Sequence, residues 1–166
     1  MFGSETAVET AINEKCSVVI DTSVLFDYLR AIAFPEEVKP GSDLLVIKTL
    51  ISQFGNKYIT PHVLAEIGTA ANSRFRDNDS KRQLFLNRSK GILLDLNEEP
   101  IGKNDVLQHE CFEKFGVCDI GVMLFSRRKN CYLLMADSPA ESYGKKNGFK
   151  IISVGELRAH YLTYCK

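Results

Sequence analysis

Four carboxylates stand where acid chemistry would be useful. Asp21 ends the apolar run Ser17-Val18-Val19-Ile20, and Asp137 ends "CYLLMA" (131–136). Asp119 follows the short stretch Val117-Cys118, and Glu66 lies inside "PHVLAEI". Each has an ordinary explanation. An Asp at a helix start is a favoured N-cap and complements the helix dipole, and a Glu within a helix is usually solvated. Taken together they ask for more. Two like charges about 5 Å apart cost roughly 3 kcal/mol at an effective dielectric of 20, so gathered carboxylates must bind protons or cations. An all-oxygen donor set suits Mg²⁺ or Mn²⁺, as one or two ions. Such sites activate water on a phosphodiester and stabilise the leaving oxygen.

The elements that must position these acids read as an alternating series. "SVVI" (17–20), "KYIT" (57–60), "GILLDL" (91–96), "CYLLMA" (131–136) and "FKIISV" (149–154) read as strands. Between them, helical spacing runs through "SVLFDYLRAIA", "SDLLVIKTLISQFG", "PHVLAEIGTAANSRF" and "NDSKRQLFLNRSKG". It continues through "KNDVLQHECFEKFG", which ends at Gly116, and through a helix opened by Asp119. "SPAESYGKKNG" and "GELRAHYLTYC" complete the set, and Pro35, Pro40 and Gly41 break the chain between the first two helices. Short apolar strands alternating with helices predict an α/β fold, with a central parallel sheet covered by helices on both faces. In such sheets ligands bind beyond the carboxyl ends of the strands, where Asp21 and Asp137 fall.

At 166 residues the chain suits one domain, residues 16–166, preceded by an arm or short helix over 1–15. Lysine plus arginine equals aspartate plus glutamate, so no bulk charge signals a polyanionic partner. The clearest local excess of positive charge is "RFRDNDSKRQLFLNRSK" (74–90). There Arg74, Arg76, Lys81 and Arg82 are candidate RNA contacts, and a solvated helix face is the plain alternative. Leu84, Phe85 and Leu86 within it suit a core or a dimer surface. Five cysteines, an odd number without a CxxC pair, read as reduced thiols of a cytoplasmic protein. Neither a secretory signal nor a run of membrane-spanning length is visible. His62 shares a helical face with Glu66 and reads as a supporting or surface histidine. Asp27 reads as surface.

Four segments together resemble the PIN-domain nucleases: "VVIDTSVLFDYL", "ITPHVLAEI", "GVCDIGVMLF" and "LLMADSPAESYGKKNGFKIISV". The resemblance spans most of residues 16–154. It implies a compact PIN-like α/β fold and metal-dependent cleavage of phosphodiesters, most often in RNA, leaving 5′-phosphate and 3′-hydroxyl ends. Asp21, Glu66, Asp119 and Asp137 match the family's acidic positions, and Ser23 matches a small polar residue that supports the site. It further implies a homodimer. Many small members are toxins of bacterial toxin–antitoxin pairs neutralised by a small antitoxin protein, and others process RNA. The competing reading is a catalytically inactive PIN-like scaffold. Other acidic sites fit less well. Leu25 stands where a D-x-S-x-S adhesion motif needs serine, Ser23 where an aspartyl phosphotransferase needs its second Asp, and Ser153 where a response regulator needs lysine.

Overall fold

A computed structural model describes residues 6–136 and 138–165. Asp137 therefore lies outside the described residues. Five strands form one sheet: β1 (Val18–Ile20), β2 (Lys57–Ile59), β3 (Asn97–Glu98), β4 (Tyr132–Met135) and β5 (Ile151–Ser153). Their order is β3-β2-β1-β4-β5, and every pairing is parallel. Val18 sits opposite Lys57 on one side and Tyr132 on the other. Val18, Val19 and Ile20 are all fully buried. Successive strand residues point to opposite faces, so helices must cover both.

From β1 the chain builds outward to β2 and β3, then crosses back to place β4 on the other side of β1. The direction of winding reverses between β1 and β4, and a crevice opens there beyond the strand ends. Asp21 is the first residue past β1. Its N–H donates to the Leu134 carbonyl (3.0 Å), which ties the two strand ends together at the reversal.

Helix α1 (Ala7–Asn13) is capped by the Thr6 hydroxyl and packs Val8 and Ala11 into the core. α2 (Thr22–Ala33) buries seven side chains and passes into a 3₁₀ turn at Pro35–Glu37. α3 (Asp43–Ile51) is capped by Ser42, and α4 (Pro61–Arg74) by Thr60 with Pro61 in its first turn. α5 (Asp79–Asp95) carries Phe85 into a ring cluster with Phe26, Phe34 and Phe75. Phe85 thus belongs to the core, while Leu84 and Leu86 stay exposed. α8 (Pro139–Lys146) is capped by Ser138, and α9 (Val154–Tyr164) opens on a complete capping box of Ser153 and Glu156.

Two expectations are corrected. "GILLDL" is not a strand: α5 runs through it to Asp95, and only Asn97–Glu98 pair with β2. Its leucines are good helix formers, and extending an existing helix needs no new nucleus. "KNDVLQHECFEKFG" is not one helix. α6 (Lys103–Leu107) stops, and α7 (Phe112–Lys129) begins after a turn in which His109 Nδ1 accepts the Cys111 N–H (3.2 Å). That side-chain bond competes with the helical ladder. α7 itself kinks at Gly116, whose φ of 78° and ψ of −177° lie outside helical space.

Candidate metal and nucleic-acid site

Asp21, Glu66 and Asp119 come from three separate elements and line one cavity of about 620 Å³, together with Thr22, Ser23, Phe26, Asp27, Ala70, Ser73 and Arg74. β1 delivers Asp21 to the crevice. α4 starts after β2 and carries Glu66 to the same edge. The Gly116 kink restarts α7 so that Asp119 lies in its first regular turn. Asp137, the fourth acid singled out in the sequence, lies outside the described residues.

Asp21 occupies the N-cap position of α2, but its carboxylate makes no capping hydrogen bond. Instead its Oδ2 accepts from the Ser23 hydroxyl (2.6 Å). Burial raises the pKa of Asp21. Ser23 and the nearby Thr22 and Ser23 amides pull it down, and Glu66 raises it further. Glu66 is exposed, and its Oε2 accepts from the Thr22 hydroxyl (2.7 Å). Thr22 also contacts the Cys118 sulfur at 3.5 Å. Asp119 has its pKa raised to about 6, first by burial and then by Asp21 and Glu66. Among the described residues, neither a lysine nor an arginine forms a salt bridge to any of these three acids. The three carboxylates therefore repel one another without a salt bridge to offset them, and Arg74 is the cation that lines their cavity.

Among the described residues no three acid, histidine or cysteine side chains form a group ready to hold an ion. The donor chemistry nonetheless fits Mg²⁺ or Mn²⁺. Such ions keep several waters and are commonly held by one or two carboxylates together with substrate phosphate. Cys118 is a poor competitor as a ligand. It is buried, and burial chiefly pushes its thiol up to about 12, so it stays protonated.

Thr22 and Asp27 are the site residues that sequence reasoning missed. Asp27 is half-buried and lines the cavity, contrary to the expectation that it is surface. Burial raises its pKa, and Arg30 and Arg74 lower it. A signal exists in the sequence, since Asp27 follows Ser23 by four residues and so shares its helical face. Thr22 carries no periodic signal, because its role depends on a residue of another helix. His62 packs beside Gly121 of α7 and does not line the cavity.

The four candidate RNA contacts separate. Arg74 lines the acidic cavity, and together with Arg76 and Lys81 it also lines a neighbouring one of about 330 Å³. Arg82 lines neither cavity; it bonds Asn72 Oδ1 (2.8 Å) and pairs with Asp79. Two further basic runs, residues 127–129 and 145–146, each have a member engaged elsewhere: the Arg127 guanidinium lies 3.9 Å from the Phe149 ring centroid, and Lys145 bridges Glu141 and Glu156.

The class that these features define is an α/β protein with a five-stranded parallel sheet and an acidic crevice at its winding reversal. No family model matches the chain, and no curated protein matches it. Among solved structures it is similar to PAE2754 from Pyrobaculum aerophilum, with a TM-score of 0.61 and 14% identity over 90% of this chain and 97% of that one. That likeness concerns the fold. A domain of a functionally unknown protein from Methanocaldococcus jannaschii DSM 2661 aligns with a TM-score of 0.47 and 14% identity, over 83% of this chain and 90% of that one. No helix of the described residues is long and apolar enough to cross a membrane.

Proposed function

We propose that the protein is a metal-dependent nuclease of PIN type that hydrolyses phosphodiester bonds in RNA. The observation that carries the reading is the convergence of Asp21, Glu66 and Asp119 on one cavity at the β1–β4 reversal, with no salt bridge to any of the three among the described residues. Asp21 and Asp119 are the residues that would hold one or two Mg²⁺ or Mn²⁺ ions, with Glu66 and, by the sequence resemblance, Asp137 completing the set. The ion would supply a nucleophilic water at neutral pH and charge for the leaving oxygen.

The chain's own contribution is placement. Ser23 fixes the rotamer of Asp21 through its 2.6 Å bond, and Thr22 holds Glu66 toward the same space. Burial of Asp21 and Asp119 keeps bulk water from screening their charge. Arg74, which lines the cavity, would meet the phosphate of an entering strand. Five unpaired thiols suit a reducing cytoplasm, which belongs to the same proposal.

The test is cleavage of single-stranded and structured RNA in Mn²⁺ and in EDTA. Wild type should cut only with the ion, and Asp21→Asn should lose activity while keeping its fold. The scaffold reading draws on one observation, that the described acids do not form a ready ion-holding group. It predicts no thermal stabilisation by Mn²⁺, whereas a bound ion at a hundred times its Kd adds about 2.7 kcal/mol.

A further inference from the structure

The acidic cavity does not end at Arg74. Ser73 and Arg74, at the end of α4, line both it and the second cavity, so the two are joined at one wall. The second is lined by Arg30 from α2, Arg74, Arg76 and Lys81, with Asp77 as its one acid. Charge therefore changes sign along a short path, from four carboxylates at one end to four cations at the other. Arg74 and Arg76 are exposed and form no salt bridge among the described residues. Arg30 and Lys81 are held differently. Both bond Glu37 of the 3₁₀ turn, Arg30 Nε at 2.6 Å and Lys81 Nζ at 2.5 Å. One carboxylate thus restrains two of the four cations.

We propose that this second cavity is a phosphate-backbone subsite for the RNA strand, and that Glu37 sets its strength by competing with phosphate for Arg30 and Lys81. The proposal rests on the nuclease reading for its ligand. A strand whose scissile phosphate sits over Asp21 and Asp119 needs cations beside the acids, because the acids alone repel it. Arg74 and Arg76 contribute two guanidinium groups without a salt bridge for adjoining phosphates, and arginine suits that contact through its paired N–H donors. When a phosphate replaces Glu37 as the partner of Arg30 and Lys81, the displaced carboxylate turns to solvent. The subsite lies on one side of the acids only, so it grips the strand on one flank of the cut.

Binding is measured by fluorescence anisotropy, with the full chain in EDTA and a short fluorescein-labelled single-stranded RNA, from about 50 to 200 mM salt. In EDTA no cleavage intervenes. Arg74→Ala with Arg76→Ala should raise Kd about tenfold at the lowest salt. It should also flatten the log–log salt slope by about 1.4, because two phosphates of a single strand are no longer neutralised. Glu37→Gln should act in the opposite direction, tightening Kd about threefold and steepening the slope, which general damage to the fold does not do. An unchanged Kd in the double arginine variant, or weaker binding by Glu37→Gln, overturns the proposal. So does tight binding of inorganic phosphate that depends on Arg74 and Arg76 while RNA affinity does not, since the cavity would then serve a small anion. RNA bound in this way but never cut in Mn²⁺ would count against the nuclease reading and leave the subsite standing.

Discussion

Replacing Asp119 by Asn should make the metal-free protein more stable. The carboxyl of Asp119 has its pKa raised from 3.8 to about 6, first by burial and then by Asp21 and Glu66. A carboxyl raised in the folded state contributes stability that is fully present below its unfolded value, near pH 4, and lost as pH rises through about 6. At pH 7.5 the wild type has lost that contribution. A rise of about two pH units corresponds to about 3 kcal/mol at most. Asp119 is only half-buried, so solvent screening reduces this to roughly 1–2 kcal/mol. For a chain of this size that is about 3–6 °C in Tm. The assay is thermal denaturation of wild type and Asp119→Asn in EDTA at pH 7.5 and at pH 4. The variant should melt higher at pH 7.5, and the gap should close at pH 4, where the wild-type carboxyl is protonated. If the proposed site holds Mn²⁺, adding the ion should reverse the order, because the variant lacks one of the proposed ligands. Equal melting at pH 7.5, or an equal loss at both pH values, would show that burial and the neighbouring acids do not raise the Asp119 carboxyl.

Other outcomes follow from single side chains. Gly116→Ala meets no atom within 4 Å of the added Cβ, so its cost is that of the positive-φ, extended-ψ backbone alone, about 1–3 kcal/mol in a urea melt. Cleavage should fall further than that stability loss accounts for, since the kink sets the start of the turn bearing Asp119. Thr22→Val removes the hydroxyl that holds Glu66 and should weaken Mn²⁺ binding, read as a smaller Tm gain on titration with the ion. The Cys118 thiol, buried and pushed up to about 12, should resist iodoacetamide at pH 8 in the native protein and react after unfolding, followed by mass spectrometry.

How much of the fold is legible in the sequence depends on where the information lies. β1 and β4 are uninterrupted β-branched or apolar runs, buried on both faces, and their carboxyl ends are visible as the point where the apolar run stops on Asp. β3 is misplaced by sequence alone because an apolar run such as "GILLDL" fits a helix or a strand, and the decision comes from α5 already being in progress. The break between α6 and α7 depends on His109 bonding the Cys111 N–H, a local competition that apolar spacing does not record. In the candidate site, Asp21 and Asp119 are readable from their place at element ends. Asp27 is hidden only by being assigned a solvent face. The fate of the basic run is not readable at all: Lys81 meets Glu37, 44 residues earlier in the chain, and Arg88 donates to the Ala33 carbonyl. Only the tertiary fold sets which cations remain free.

If Asp21 anchors a metal-dependent hydrolytic site, RNA cleavage by wild type beside Asp21→Asn decides the matter. With Mn²⁺ the wild type should cut RNA, EDTA should abolish cutting, and Asp21→Asn should be inactive while its circular dichroism and cooperative melt remain native. Cleavage that persists in EDTA, or an Asp21→Asn protein as active as wild type, would rule out that role for Asp21.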